Sequence, residues 1–144
     1  MSMNPVVHFE MPAEDMQRMI NFYNKAFGWT ANQLGAEMGN YAVVMTSETG
    51  PDGFPTEPGR INGGLFPKAD SNHSPSIVIG VEDIHAAMKR VQEAGGKILG
   101  GSHKAGEPDD IPGVGFYCGF IDSEGNRASM LQPKFGPDGK PLNQ

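Results

Sequence analysis

Two segments of the same design stand 68 residues apart, counted from Asp15 to Asp83 (83 − 15), which is close to half of the 144-residue chain. Each opens Glu-Asp, as Glu14-Asp15 and Glu82-Asp83, and each continues with helical spacing. In PAEDMQRMINFYNKAFG, residues Met16, Met19, Ile20, Tyr23 and Phe27 fall at i, i+3, i+4, i+7 and i+11. Glu14 and Asp15 are expected in the first turn, and Gly28 suits the left-handed end. In EDIHAAMKRVQEAGG, residues Ile84, Ala87, Met88 and Val91 repeat the pattern before Gly95 and Gly96. Self-similarity at this distance predicts two copies of one supersecondary unit. Each half reads as a strand, a helix, then two or three strands. A single helix cannot cover both faces of its sheet, so two copies are expected to set their sheets side by side, helices outside and a concave strand face inside. Such a cup is a natural place for a small molecule.

The strands follow from alternation. MNPVVHFE, residues 3–10, puts Val6, His8 and Glu10 on one face and Val7, Phe9 and Met11 on the other. WTANQLG and YAVVMTS are joined through the turn-rich AEMGN, and INGGLF, SPSIVIGV and KILGG complete the short runs. VGFYCGFID and NRASMLQP form a hairpin about Asp122–Asn126, where Gly125 and Asn126 tolerate positive φ. Two stretches break the pattern. Residues 46–60, with three prolines and three glycines, and residues 102–113 are expected to be long loops, poised as lids or simply surface. The tail, residues 134–144, has no periodicity and is expected to be loose.

Charge and cysteine usage narrow the partners. A net charge of −6 repels a phosphate backbone, so nucleic acid is not an expected partner. No apolar run approaches a membrane span, and the start MSMNPVVHFE has neither a basic nor an apolar leader region. The lone cysteine, Cys118, has no intrachain partner for a disulfide and reads as a packed thiol. A cytoplasmic location is the expectation.

The opening VVHFEMPAEDMQRMINFYNKAFGW, marked by Asp15, Phe22-Tyr23 and Phe27-Gly28, resembles the vicinal oxygen chelate superfamily of glyoxalase I, bleomycin- and fosfomycin-resistance proteins and extradiol dioxygenases. VEDIHAAMKRVQEAGGKIL, IPGVGFYCGFID, DSEGN and the closing MLQP resemble the second module of that family, so the likeness spans roughly residues 4–133. It implies an α+β fold in which two βαβββ modules, roughly residues 3–67 and 75–133, form one curved eight-stranded mixed sheet as an open cup, commonly in a homodimer.

The same resemblance implies positions for metal ligands. Seven residues before Asp15 stands His8, which fits the first of them. Seven before Asp83 stands Ser76, the last-strand carboxylate position falls on Ser129, and the remaining position, in Ile61-Asn62-Gly63-Gly64-Leu65, falls on a glycine. A catalytic divalent site needs about three N, O⁻ or S⁻ ligands from the protein, and one histidine does not supply them. No cofactor is therefore expected, and a divalent metal, if present, would have only His8.

The expected ligand-binding set is His8, Glu10, Ser76, Arg127 and Ser129. Arg127 offers a planar cationic fork for a carboxylate or enolate oxygen, and His8 a proton relay whose tautomer Glu10 sets. Two functions follow: a bleomycin-resistance-type protein that holds a small, partly apolar molecule at a degenerate metal site, or a glyoxalase-like lyase, isomerase or dioxygenase. The enzyme would work through unrecognised metal ligands or, metal-free, through His8 and Arg127. His73, His85 and His103 have no metal-ligand spacing among themselves, and the structural alternative is that His8 only packs and that Arg127 and Glu10 pair or face solvent.

Overall fold

The computed structural model describes residues 3–134, which divide into two compact units: residues 8–76, and residues 77–134 together with the leading residues of the first strand. Residues 135–144 of the expected loose tail lie outside the described residues. Lys134 lies within them, and its backbone N–H donates to Val114 O at 3.0 Å.

The first unit runs β1 (Val6–Ala13), α1 (Met16–Phe27), β2 (Thr30–Gln33), a 3₁₀ turn (Ala36–Met38), β3 (Ala42–Met45) and β4 (Gly63–Pro67). The strand order is β2-β3-β4-β1, with β1 and β4 parallel and the other pairs antiparallel. Asp15 does not lie in the first turn of α1. It is the cap: its backbone is extended, and its carboxylate accepts the Arg18 N–H at 3.0 Å, which satisfies one of the helix's orphan donors. At the other end Gly28, at φ 74°, donates its N–H to Asn24 O. The apolar stripe of α1 covers one sheet face, where Met16, Met19 and Ile20 pack with Met11, Trp29 and Ala31 on buried Ala42, Val44 and Leu65. By alternation along β1, His8 and Glu10 point to the other face.

The second unit runs β5 (Ser76–Gly80), α2 (Ile84–Glu93), β6 (Lys97–Gly100), β7 (Asp109–Ile111), β8 (Gly115–Ile121) and β9 (Arg127–Pro133). Its order is β5-β9-β8-β6, with β5 parallel to β9 and the rest antiparallel. Gly80 N–H donates to Pro5 O at 2.8 Å, which joins the start of the first strand to this unit. Asp83 caps α2 as Asp15 caps α1, accepting from Ala86 N–H at 3.1 Å. Ile84 and Ala87 pack from α2 onto Val81, Cys118, Phe120, Ala128 and Met130.

These are two βαβββ units in mixed sheet, the expected α+β class, with one correction. There are nine strands among the described residues, not eight. The added β7 lies inside residues 102–113, read from sequence as plain loop, because three residues between two prolines carry too little pattern to register. It pairs with β8 at Asp109–Tyr117 while β6 pairs with the same strand at Lys97–Ile121, so β6 and β7 follow one another along β8 after the irregularity near Gly100. The β8–β9 turn is as expected, with Asp122 N–H donating to Asn126 O at 2.9 Å and Gly125 at φ 86°. Asn126 does not share the positive φ; among non-glycine described residues only Asn40 has one.

Candidate functional site

In the first unit, Glu10 stands opposite Gly64, and Gly64 opposite Val43, so one row crosses β1, β4 and β3 on the face away from α1. His8 precedes Glu10 by two residues on that face. Glu10 is 9 % exposed, and His8 is partly buried with its Nε2 3.0 Å from the Tyr41 hydroxyl. Desolvation by burial lowers His8 from 6.5 to about 4, so its imidazole is neutral at physiological pH. The Tyr41 ring lies over Gly64, where an added Cβ would overlap its hydroxyl and ring carbons. Gly63 is likewise bare on the opposite face because the Phe9 ring fills that space.

In the second unit, Ser129 is 2 % exposed and its Oγ is 2.7 Å from the Tyr117 hydroxyl. Val78 of β5 and Gly119 of β8 flank Ser129 in register, and Arg127, two residues earlier on the same face, is exposed at the head of β9. Ser76, the last residue of the first unit, is half-buried and opens β5. Strand alternation thus puts His8 and Glu10 on one face of β1, and Arg127 and Ser129 on one face of β9. Pattern alone did not mark Tyr41 or Tyr117. Their hydroxyls meet partners 33 and 12 residues away, and the one local hint for Tyr41 is the Gly39-Asn40 turn before it.

The remaining histidines lie apart. His73 is half-buried, its ring edge-on to Phe66 at 5.3 Å and its Nδ1 accepting the Ala69 N–H at 3.4 Å, whereas His85 and His103 are exposed. Among the described residues no three His, Cys, Asp or Glu side chains stand close enough to hold one metal ion. Cys118 is fully buried, and burial pushes its thiol up, away from the reactive thiolate.

Both long loops are anchored. Thr46 N–H donates to Asn62 Oδ1 at 3.0 Å, Asn62 Nδ2 to Thr49 Oγ1 at 3.0 Å, and Thr49 bridges Pro55. Burial raises Asp109, but the N–H and hydroxyl of Ser102 and the His103 N–H more than offset it, so the carboxylate is held below its usual range and pins residues 102–108. An open groove of about 440 Å³ lies against the start of α1, lined by Pro12, Arg18, Met19, Phe22 and Lys68 among others; His8 and Glu10 are not in its walls.

Residues 6–128 match the Glyoxalase/Bleomycin resistance protein/Dioxygenase superfamily. The chain belongs to this superfamily. A glyoxylase-like domain-containing protein from Didymella fabae is 33 % identical over 120 residues, covering 81 % of this chain and 84 % of that protein. Among solved structures, a hypothetical protein from Bacillus halodurans superposes with a TM-score of 0.65 at 13 % identity, covering 94 % of this chain and 98 % of that one. A single-residue variant of Streptomyces coelicolor methylmalonyl-CoA epimerase, in complex with 2-nitronate-propionyl-CoA, gives 0.65 at 15 % identity, covering 92 % and 99 %. The Mycobacterium tuberculosis methylmalonyl-CoA epimerase gives 0.61 at 14 %, covering 89 % and 87 %. At such identities these structures establish the superfamily fold. No helix among the described residues is long and apolar enough to cross a membrane.

Proposed function

We propose that this superfamily member binds a small, partly apolar molecule through the His8 face of its first module and does so without a divalent metal. The observation that carries the reading is the chemistry of the donors. His8 is neutral and its outer nitrogen already meets the Tyr41 hydroxyl; the residue opposite Glu10 is a glycine. Divalent ions of the transition series take about three imidazole, thiolate or carboxylate ligands; His8 and Glu10 are two, and no three such side chains stand close enough among the described residues. This face fits a ligand that hydrogen-bonds the His8 and Tyr41 pair while Val43 and the Tyr41 ring, seated over Gly64, meet an apolar surface.

Thermal-shift titration with phenylpyruvate, pyruvate and propionyl-CoA tests this, since a ligand of the native state raises its stability by RT ln(1 + [L]/Kd). A stabilising probe whose effect disappears in His8→Ala supports the reading. An unchanged shift in that variant places the ligand elsewhere and overturns it.

A second reading, a lyase or isomerase, is favoured by His8 and Glu10 seen as proton-transfer groups on one strand face. Its test is deuterium incorporation into methylmalonyl-CoA, the molecule with which an epimerase of this fold forms a complex. Exchange abolished by His8→Ala supports catalysis, and no exchange above the buffer rate removes this reading.

A further inference from the structure

Tyr41 stands one residue before β3, and three local features aim its side chain. Gly39 at φ 65° and Asn40 at φ 57° are consecutive left-handed residues. Glycine and asparagine are the residues that adopt this conformation most readily, so the pair turns the chain sharply just before the strand. The Leu34 N–H then donates to Tyr41 O at 2.8 Å, and the Tyr41 N–H to Met38 O at 3.3 Å, which fixes the backbone where the strand begins. Finally, Tyr41 and Val43 share a strand face, and Gly64, the neighbour of Val43 on β4, leaves the space that the phenol ring fills. Any side chain at Gly64 would expel the ring.

The hydroxyl so placed meets His8 Nε2, the ring nitrogen farther from the backbone. An imidazole nitrogen binds a metal ion or engages a hydrogen-bond partner, never both at once. We infer that Tyr41 is a specificity-determining residue: its hydroxyl occupies the nitrogen through which His8 would reach a divalent cation, and Gly64 is the seat that lets it do so. The pair thereby offers an incoming ligand the phenol oxygen, which both donates and accepts hydrogen bonds, in place of a free imidazole nitrogen. This rests on the reading of the His8 face as the ligand site.

The test is a Zn²⁺ titration followed by the ¹⁵N resonances of the histidine rings, with exposed His85 and His103 as internal references. In the wild-type protein the His8 signals are expected to stay in place while the exposed rings respond. Tyr41→Phe removes one oxygen and keeps the ring; it should shift the His8 Nε2 signal before any zinc is added. It should also raise the apparent affinity of His8 for Zn²⁺ about ten-fold, the order expected when one competing hydrogen bond is removed. Gly64→Ala, which displaces the ring, should reproduce both effects, with amide spectra verifying the fold of each variant. If His8 in Tyr41→Phe behaves as in wild type, the role assigned to Tyr41 is wrong while the metal-free reading stands. If wild-type His8 takes up Zn²⁺ more tightly than His85 and His103 do, both fall.

Discussion

The burial of His8 makes a measurable demand on stability. In the fold its imidazole is lowered to about 4 against an ordinary value of 6.5, so between these values the unfolded chain binds a proton that the native state refuses. Stability therefore rises with pH across this window; it is intact above 6.5 and is lost as pH falls through 4. At 1.36 kcal/mol for each tenfold change in proton affinity, the loss approaches ~3 kcal/mol, and partial exposure of the ring brings the expectation to about 2 kcal/mol. The assay is urea unfolding followed by Trp29 fluorescence at a series of pH values, for the wild type and for His8→Gln. Glutamine keeps a partner for Tyr41 and does not titrate, and contributions from other ionisable groups cancel in the difference. The wild type should lose about 2 kcal/mol more than the variant between neutral pH and pH 4. Parallel pH profiles would refute the burial of a neutral His8.

Other consequences are simpler. Removing the caps with Asp15→Ala or Asp83→Ala should each cost ~1 kcal/mol in chemical unfolding, because each carboxylate accepts a first-turn N–H; no loss at either would mean that the cap is unformed in solution. Leu65→Ala and Ile84→Ala, both essentially fully buried, should each destabilise by about 2–5 kcal/mol, with values under 1 kcal/mol contradicting the two cores described. Cys118 should stay inert to a thiol reagent such as 5,5′-dithiobis(2-nitrobenzoate) until the protein is unfolded; rapid stoichiometric reaction of the native protein would show that its thiol is open to solvent.

Much of the architecture was legible because it is written in local chemistry. The repeated Glu-Asp openings located both helices, and the apolar stripes identified the faces they bury, since Met16, Met19 and Ile20 in one unit and Ile84 and Ala87 in the other pack where their spacing put them. Asp122-Ser-Glu-Gly-Asn126 announced its turn through residues that bond their own backbone, and the Asp122 carboxylate accepts from both Glu124 and Asn126 N–H. What escaped pattern is what depends on tertiary approach. Strand β7 exists because β8 continues past the end of β6 and offers an edge, which three residues of sequence do not advertise. The ligand candidates His8, Glu10, Ser76, Arg127 and Ser129 came from alternation and family position, and neither reveals what lies across from a side chain. Tyr41 reaches His8 over 33 residues and only because Gly64 is empty, a condition visible only when β3 and β4 are laid side by side.

The most direct test of a metal-free His8 site is the metal-to-protein ratio of untagged protein purified from medium supplied with zinc, nickel, manganese and iron. One imidazole already engaged by Tyr41 and one carboxylate, short of the three ligands such a site needs, predict far less than one equivalent of any of them. A full equivalent that is lost in His8→Ala would contradict it.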